Sequence, residues 1–232
     1  MFQSSDIIYE DNHLLVVNKR CGDLVQPDPN GTSALEDQIK EFIKVRDGKP
    51  GAVYLGVVHR IDRPVSGVVL FAKSSKALVR LNEKIRNKEI KKRYWAIVET
   101  APNNGGEWVE LRHYISRNTK NNTSRATNKE LPNSKEARLR YRVAVGSDNY
   151  TLLEVELITG RHHQIRAQLS AIGSPIKGDL KYGAKRSNPD GGISLHSREM
   201  IFNHPTTKEE CSVVAPVPND NLWNYFEKNL KI

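Results

Sequence analysis

The stretch His59–Lys73 constrains the fold more than any other part of the chain, because a charged segment runs directly into an apolar one. It begins HRIDR and continues, two residues later, as SGVVLFA. A short continuous apolar run is typical of a buried strand, so the run Val68–Ala72 predicts a strand with the charged segment on the preceding loop. Asp62, between Arg60 and Arg63, is then a carboxylate on a loop held by a rigid strand, a common place for chemistry. A solvated ion-pair network explains the same triplet, and the triplet alone does not decide between them.

The charge balance points to a polyanionic partner. The chain has 36 Lys and Arg against 27 Asp and Glu, which gives a net charge of +9. The excess is concentrated between Arg112 and Arg142, where nine basic residues stand against Glu130 and Glu136. An uneven basic surface of this kind is typical of proteins that bind nucleic acid, and RNA or DNA is the partner that we expect.

The bulk composition excludes several other classes of protein. With 232 residues and 38% hydrophobic content, the chain is long enough to bury a sizeable core. Its apolar runs are far shorter than the ~20 residues of a transmembrane helix, and its start lacks a signal-peptide pattern, so we expect a cytoplasmic protein. The two cysteines, Cys21 and Cys211, do not form a disulfide framework or a zinc motif. Nothing in the sequence divides residues 1–232 or demands more than a monomer, so we expect a single catalytic domain.

Hydrophobic periodicity predicts many strands and few helices. Period-two patterns and turn residues indicate strands at Ile7–Tyr9, Leu14–Asn18, Val53–Val58, Arg93–Glu99, Ala137–Val145, Tyr150–Leu157, Ile193–Phe202 and Cys211–Val214. Helical spacing indicates four helices: one after a capping box at Ser33 and Glu36, one capped by Ser74 or Ser75, one over His162–Ile172, and one over Asn219–Leu230. The polar, Asn-rich segment Ser116–Ser134 shows no periodicity and is predicted to be a mobile loop that could order on RNA. Strands and helices that do not alternate strictly favour the α+β class.

Two further stretches carry side chains suited to RNA chemistry. Lys92-Arg93-Tyr94 places an aromatic hydroxyl beside two cations at the start of a strand. Residues 159–166, TGRHHQIR, bring basic side chains to the start of a helix, where an anion binds favourably. We therefore expect RNA contacts from Lys92 and from the residues Arg161, His162, His163 and Gln164.

Five motifs together resemble one family. They are HRIDRxxSGxxxFAK, KxYxA from Lys92, TGRxHQIR, GxPIxGDxxYG from Gly173, and LH…FxHP from Leu195. In this order and spacing, over about Ile8 to Val214, the chain is similar to the RluA-type pseudouridine synthases. The family's usual KPxG stands here as Lys19-Arg20-Cys21-Gly22, and Gln168 stands where a His is common.

The resemblance implies a fold, a reaction and a set of site residues. The implied fold is the pseudouridine synthase fold, a central mixed, mostly antiparallel sheet flanked by helices and loops, with a catalytic cleft across it and no separate S4-type RNA-binding module. The implied reaction isomerises uridine to pseudouridine in ribosomal or transfer RNA without a metal or an organic cofactor. Position by position, Asp62 matches the catalytic aspartate, Tyr94 the active-site tyrosine and Arg166 the arginine that pairs with the aspartate. Arg60 matches the residue that fills the gap left by the flipped base, and Arg63 adds a second cation beside Asp62.

Two other functions remain open from the residues themselves. The basic surface alone fits an RNA-binding protein or RNA chaperone of the same fold without turnover. His162, His163 and His196, with Asp62 as a fourth ligand, suggest a metal-dependent hydrolase, although adjacent histidines on a helix point about 100° apart and no HxxxH spacing occurs.

Overall fold

The computed structural model describes residues 2–28, 31–103 and 106–230. These residues group into two compact units, each described by itself below. The N-terminal unit runs up to Ile90 and includes Ser197–Pro216, and the C-terminal unit contains Lys91–His196 and the described residues from Val217 onward. One catalytic domain over residues 1–232 stays a prediction.

The described residues contain eleven strands and four helices. The strands are β1 (Ile7–Glu10), β2 (Leu14–Lys19), β3 (Gly56–Val57), β4 (Ser66–Ala72), β5 (Lys91–Val98), β6 (Val109–Asn118), β7 (Thr123–Thr127), β8 (Lys135–Gly146), β9 (Thr151–Leu157), β10 (Leu195–Asn203) and β11 (Glu210–Val214). The helices are α1 (Leu35–Arg46), α2 (Ser75–Arg86), α3 (Gln164–Ala171) and α4 (Asn221–Asn229). Short 3-10 turns occupy Ser4–Asp6 and Leu180–Tyr182.

In the N-terminal unit, strands β2 and β4 are buried on both faces. They run antiparallel beside β1, and β3 and β11 complete the sheet as partners of β4 and β10. Alternate side chains of the two strands enter two separate clusters, one packed on α1 and the other on α2. A strand covered by a helix on each face has no solvent side, which explains the continuous apolar run at the end of β4.

In the C-terminal unit, five antiparallel strands follow the order β5-β9-β8-β6-β7. One face packs Trp95 and Ile97 against Trp223 and Phe226 of α4. The opposite face, at β6 and β8, packs against α3 through a second cluster with the members Ile115, Ala137, Ala167 and Tyr182. The helices and predominantly antiparallel strands confirm the α+β class.

Most predicted elements are confirmed, with three corrections. The segment Ser116–Ser134 is a loop only in part, because β6 continues to Asn118 and pairs with β7 as a β-hairpin, and only the hairpin turn and the residues between β7 and β8 lie outside the strands. The N-cap of α1 is Ala34, whose N–H donates to Asp37 at 3.4 Å, so the capping box predicted at Ser33 is wrong. The strand predicted over Val53–Val58 is reduced to the two residues of β3. Ser74 does cap α2, accepting a hydrogen bond from the Ala77 N–H at 3.2 Å.

No helix in the described ranges combines the length and apolar character that crossing a bilayer requires.

Candidate active site

In the N-terminal unit, Asp62 lies on the loop between β3 and β4, at the position predicted from the sequence. Its side chain is half-buried, and its carbonyl accepts a hydrogen bond from the Val65 N–H at 3.0 Å, which closes a turn immediately before β4. Arg60 and Arg63 are exposed on either side. The Arg63 Nε donates to the Gly22 carbonyl at 3.0 Å, and the Gly22 N–H donates to the Arg63 carbonyl at 3.0 Å. The loop of Asp62 is therefore tied to the turn that follows β2.

Lys19 at the end of β2 strengthens this tie. Its side chain is 1% exposed, and its Nζ donates to the carbonyls of Arg20, Asp23 and Arg63 at 2.8, 2.9 and 3.1 Å. Burial lowers the pKa of Lys19 to about 8, while the nearby charges of Asp23, Cys21 and Asp62 act in the opposite direction. A buried ammonium with three carbonyl acceptors holds the backbone next to Asp62 in one conformation.

In the C-terminal unit, Arg166 forms a buried bidentate ion pair with Asp179. Its Nε donates to Oδ2 at 2.7 Å and its Nη2 to Oδ1 at 2.9 Å, and the two side chains are 5% and 2% exposed. The guanidinium carbon also lies 4.8 Å from the centre of the Tyr182 ring. A guanidinium that donates two hydrogen bonds to one carboxylate and also lies over an aromatic ring has little rotational freedom. Asp179 is thus a partner of Arg166 in addition to the one implied by the resemblance.

Tyr182 is fixed in turn by the hairpin and by the start of α3. Its hydroxyl accepts a hydrogen bond from the Ser124 N–H at 2.7 Å and lies 2.9 Å from the His163 Nδ1. The ring of His163 stacks on that of His162 at 3.8 Å, and the His162 Nδ1 lies 2.8 Å from the Ser124 hydroxyl. A polar network therefore connects β7, the start of α3 and Arg166.

The other predicted residues around α3 have different exposures. Gln164 is 3% exposed; its amide nitrogen donates to the Arg138 carbonyl, and its amide oxygen accepts from the Arg161 N–H and from the Thr159 hydroxyl. His163 is also buried and adopts a left-handed backbone with φ 50° at the N-cap of α3. Arg161 is exposed, and its Nε donates to the Glu136 carbonyl. These bonds indicate that Gln164 and His163 shape the site, while Arg161 is accessible to a ligand.

Tyr94 and Lys92 lie on the face of the C-terminal sheet that packs on α3. Tyr94 is 6% exposed and stands opposite Val155, which stands opposite Tyr141. Tyr141, Leu139 and Ala137 alternate along β8 and share this face of the sheet. Ala137 packs against Ala167 of α3 in the cluster described above. Lys92, two residues before Tyr94, shares its face and is half-buried, and burial lowers the pKa of Lys92 to about 8.

The metal hypothesis finds no support in the contacts of its histidines. The described ranges contain no cluster of three or more His, Cys, Asp or Glu side chains placed to hold a metal ion. The Nδ1 atoms of His162 and His163 face hydroxyl groups of Ser124 and Tyr182. His196 is fully buried, with its ring 5.8 Å from that of Trp223.

Sequence reasoning missed the roles of Lys19, Ser124, Asp179 and Tyr182. The GDxxYG motif contains Asp179 and Tyr182, and this motif was the available signal for both residues. Ser124 carried no signal, because its segment was predicted to be a loop.

Comparisons with known proteins agree on one family. The family model for RNA pseudouridylate synthase matches residues 13–171, which include Asp62, Tyr94 and Arg166. The chain is 34% identical to an uncharacterized RNA pseudouridine synthase, YlyB, of Bacillus subtilis, over 93% of this chain and 70% of that protein. It is 33% identical to the ribosomal large subunit pseudouridine synthase C of Vibrio parahaemolyticus, over 91% of this chain and 65% of that protein. The chain thus spans about two thirds of the length of these relatives.

A solved structure shares the fold. Human RNA Pseudouridylate Synthase Domain Containing 4 superimposes with a TM-score of 0.78 at 23% identity, covering 99% of this chain and 95% of that one. This likeness confirms the pseudouridine synthase fold, and the family model and the relatives confirm the resemblance drawn from the five motifs. The chain belongs to the RNA pseudouridylate synthase family, in its RluA-type branch.

Proposed function

We propose that this chain isomerises specific uridines of large-subunit ribosomal RNA to pseudouridine, with the carboxylate of Asp62 as the nucleophile. The observation that carries the proposal is the position of Asp62 within the family match, on a loop that Lys19 and Gly22 fasten to the sheet. The substrate follows the name of the Vibrio relative. Transfer RNA is the second substrate that the sequence leaves open, and the protein acts as a cytoplasmic monomer.

The reaction needs a nucleophile and a way to hold the detached base. The N1–C1′ glycosidic bond breaks, the uracil turns, C5 bonds to C1′, one proton leaves C5 and one joins N1, so no cofactor or redox partner enters the balance. A carboxylate attacks either the sugar C1′ or the uracil ring and leaves again when the new bond has formed. Asp62 takes this role on the family pattern.

The remaining predicted residues have positioning and proton-transfer roles in this proposal. A uridine inside folded RNA must leave its stack, at a cost of a few kcal/mol, and the exposed guanidinium of Arg60 fills the vacated space. Tyr94 stacks on the flipped base, and its hydroxyl is the group that we assign to removal of the C5 proton. Arg166, fixed by Asp179 and Tyr182, takes the role that the family pattern gives to its arginine.

Cationic side chains bind the RNA backbone in this proposal. Arg63 and Arg161 are exposed and Lys92 is half-buried, so each reaches a phosphate in this proposal, and His162 lies at the same end of α3. His163 and Gln164 are buried and contribute indirectly, because their hydrogen bonds hold the backbone that carries Arg161.

Release of tritium from 5-tritiated uridine in a large-subunit ribosomal RNA transcript tests the proposal. We expect release by the wild-type protein and none by Asp62→Asn, which keeps the shape of the side chain and removes the nucleophile, while both proteins bind the transcript with similar affinity. Release by Asp62→Asn would refute the role of Asp62. RNA binding without release by the wild-type protein would instead indicate the catalytically silent RNA-binding protein.

A further inference from the structure

His59 supplies a hydrogen bond at the point where strand β3 leaves the sheet. β3 pairs with β4 over its two residues and then ends. At the next position of the ladder the Val58 N–H donates to the Leu70 carbonyl at 3.4 Å, and the Leu70 N–H donates to the His59 Nε2 at 3.1 Å. The imidazole therefore takes the place that a strand carbonyl would occupy if β3 were longer.

This bond fixes the tautomer of the ring. A backbone N–H can only donate, so the Nε2 that accepts from it carries no proton. Because a neutral imidazole has one N–H and one acceptor nitrogen, the proton of His59 is on Nδ1. An imidazolium has a donor at each nitrogen and cannot make the bond. His59 thus holds β4 as the neutral Nδ1–H tautomer.

The bond lies on one side of the loop that carries Asp62, three residues before it in the chain. The other side of the loop is held at Arg63, which exchanges hydrogen bonds with Gly22 and whose carbonyl accepts from the buried Lys19. Asp62 therefore lies between two attachments of the loop, His59 to β4 before it and Arg63 to the turn after β2.

The first attachment depends on His59 more than on its neighbours. Ile61 is partly buried and packs against the cluster on α1, but a hydrophobic contact has no preferred direction. A hydrogen bond to a strand amide restricts both the distance and the angle of its partner. Loss of the His59 acceptor would also leave the N–H of Leu70, which is 0% exposed, without this bond.

We propose that His59 is a positioning residue for the Asp62 carboxylate: its Nε2 holds the N-terminal side of the loop to β4, and the ring takes no part in proton or bond transfer. This role deepens the proposed function and rests on it, because it takes Asp62 as the nucleophile. A misplacement of about 1 Å can cost about a hundredfold in rate, so the bond acts on turnover rather than on RNA affinity.

Tritium release from a 5-tritiated large-subunit ribosomal RNA transcript tests this role with three variants of the full chain. His59→Phe keeps a flat ring and removes the acceptor, whereas His59→Gln keeps an acceptor oxygen near the position of Nε2. His13→Phe is the matched control, because His13 is half-buried in the same unit and its ring makes no hydrogen bond to another described residue.

The expected results differ among the three variants. In His59→Phe we expect kcat to fall about 10- to 100-fold while KM stays unchanged, since the bond positions a reacting group and does not bind substrate. In His59→Gln kcat should return close to the wild-type value, and in His13→Phe it should not change. Thermal melting of each variant is recorded beside the kinetics.

Hydrogen exchange at the Leu70 amide tests the bond itself. Exchange should be faster in His59→Phe than in the wild-type protein, and His59→Gln should restore the protection. Should His59→Phe melt early, His59→Asn takes its place. Its shorter amide extends only about as far as Nδ1 and does not meet the Leu70 N–H, so it must lose kcat where His59→Gln keeps it.

Three results would overturn the inference while tritium release by the wild-type protein leaves the proposed function standing. They are a wild-type kcat in His59→Phe, a loss in His59→Gln as large as that in His59→Phe, and a raised KM with unchanged kcat, which would assign His59 to RNA binding. A wild-type protein that releases no tritium would remove the proposed function, and this role with it, whatever the Leu70 amide shows.

Discussion

Arg166 and Asp179 are joined by two parallel hydrogen bonds of 2.7 and 2.9 Å between side chains that are 5% and 2% exposed. Thirteen residues separate them in the chain, with the end of α3 and a turn between them. A bidentate pair buried to this degree fixes the plane of the guanidinium as well as its position. The orientation of Arg166 is therefore set by its own unit before any substrate arrives.

The first prediction follows from this pair. Replacing Asp179 by Ala removes one member of a buried ion pair, which typically costs about 3–5 kcal/mol of stability. We expect a loss of about 3 kcal/mol in the free energy of unfolding, measured by urea denaturation, and a lower kcat for tritium release because Arg166 loses its fixed orientation. The control is Asp148→Ala, an exposed position in the same unit, which should change neither quantity. Equal stability losses in the two variants would contradict the structural role of Asp179.

The second prediction concerns a close approach of two backbones in the N-terminal unit. Gly67 has φ +110°, and a Cβ added there would lie 2.3 Å from the Ser197 carbonyl oxygen and 2.7 Å from the Ser197 nitrogen. Because backbone atoms cannot move aside cheaply, Gly67→Ala is expected to lower the free energy of unfolding by about 3 kcal/mol. Gly146→Ala, with no atom within 4 Å of the added Cβ, should stay within about 1 kcal/mol of the wild-type value. Thermal melting of the two variants distinguishes the positions.

Elements of the fold that depend only on residues close together in the sequence were predicted correctly. The apolar run of β4, the Ser74 cap of α2 and the positive-φ Gly173 after α3 all follow from residue type and spacing, and all three are present. The hairpin was missed because its strands carry polar and basic residues on the face that does not pack against α3. Its asparagines were taken as a sign of disorder, whereas they brace a turn through side-chain bonds.

The site residues could be identified only in part for a similar reason. Asp62, Tyr94 and Arg166 stand in motifs, so their candidacy follows from the sequence. The groups that orient them are long-range partners: Lys19 contacts the carbonyl of Arg63, 44 residues away, and Ser124 contacts Tyr182, 58 residues away. Hydrophobic periodicity does not encode such contacts. A buried Lys whose Nζ donates to three backbone carbonyls, with no carboxylate partner among the residues that the structure describes, is also against the usual expectation for that residue type.

The third prediction is an acid dependence of stability that originates at Glu10. Hydrogen bonds from Arg46 at 2.7 and 2.8 Å and from Lys73 at 2.7 Å lower the pKa of Glu10 to about 2. Because the folded pKa lies below the unfolded one, the stabilisation is complete above about pH 4.5 and disappears as the pH falls towards 2. The group is partly solvated, so screening reduces its contribution to about 1 kcal/mol. Glu10→Gln should lose this amount at pH 7 and only about a quarter of it at pH 2.5 in denaturant titrations, because a group with a pKa of about 2 is still largely ionised there. The exposed Glu41→Gln should match the wild-type protein at both.

The fourth prediction separates activity from stability through Lys19. Its pKa of about 8 lies below the ordinary value of 10.5, so the unfolded chain binds the proton more tightly, and the stability contribution of this group rises between pH 8 and 10.5. Above pH 8, however, the neutral amine has two N–H groups for three carbonyls, including that of Arg63 next to Asp62. We therefore expect kcat for tritium release to decline as the pH rises through about 8, while the free energy of unfolding does not decline.

Lys92 also has a pKa of about 8, so two variants are needed to assign the titration. In Lys92→Met the decline of kcat should persist. In Lys19→Met the residual activity should be independent of pH in this range. A decline that disappears in Lys92→Met and remains in Lys19→Met would assign the titration to Lys92 and refute the role of Lys19.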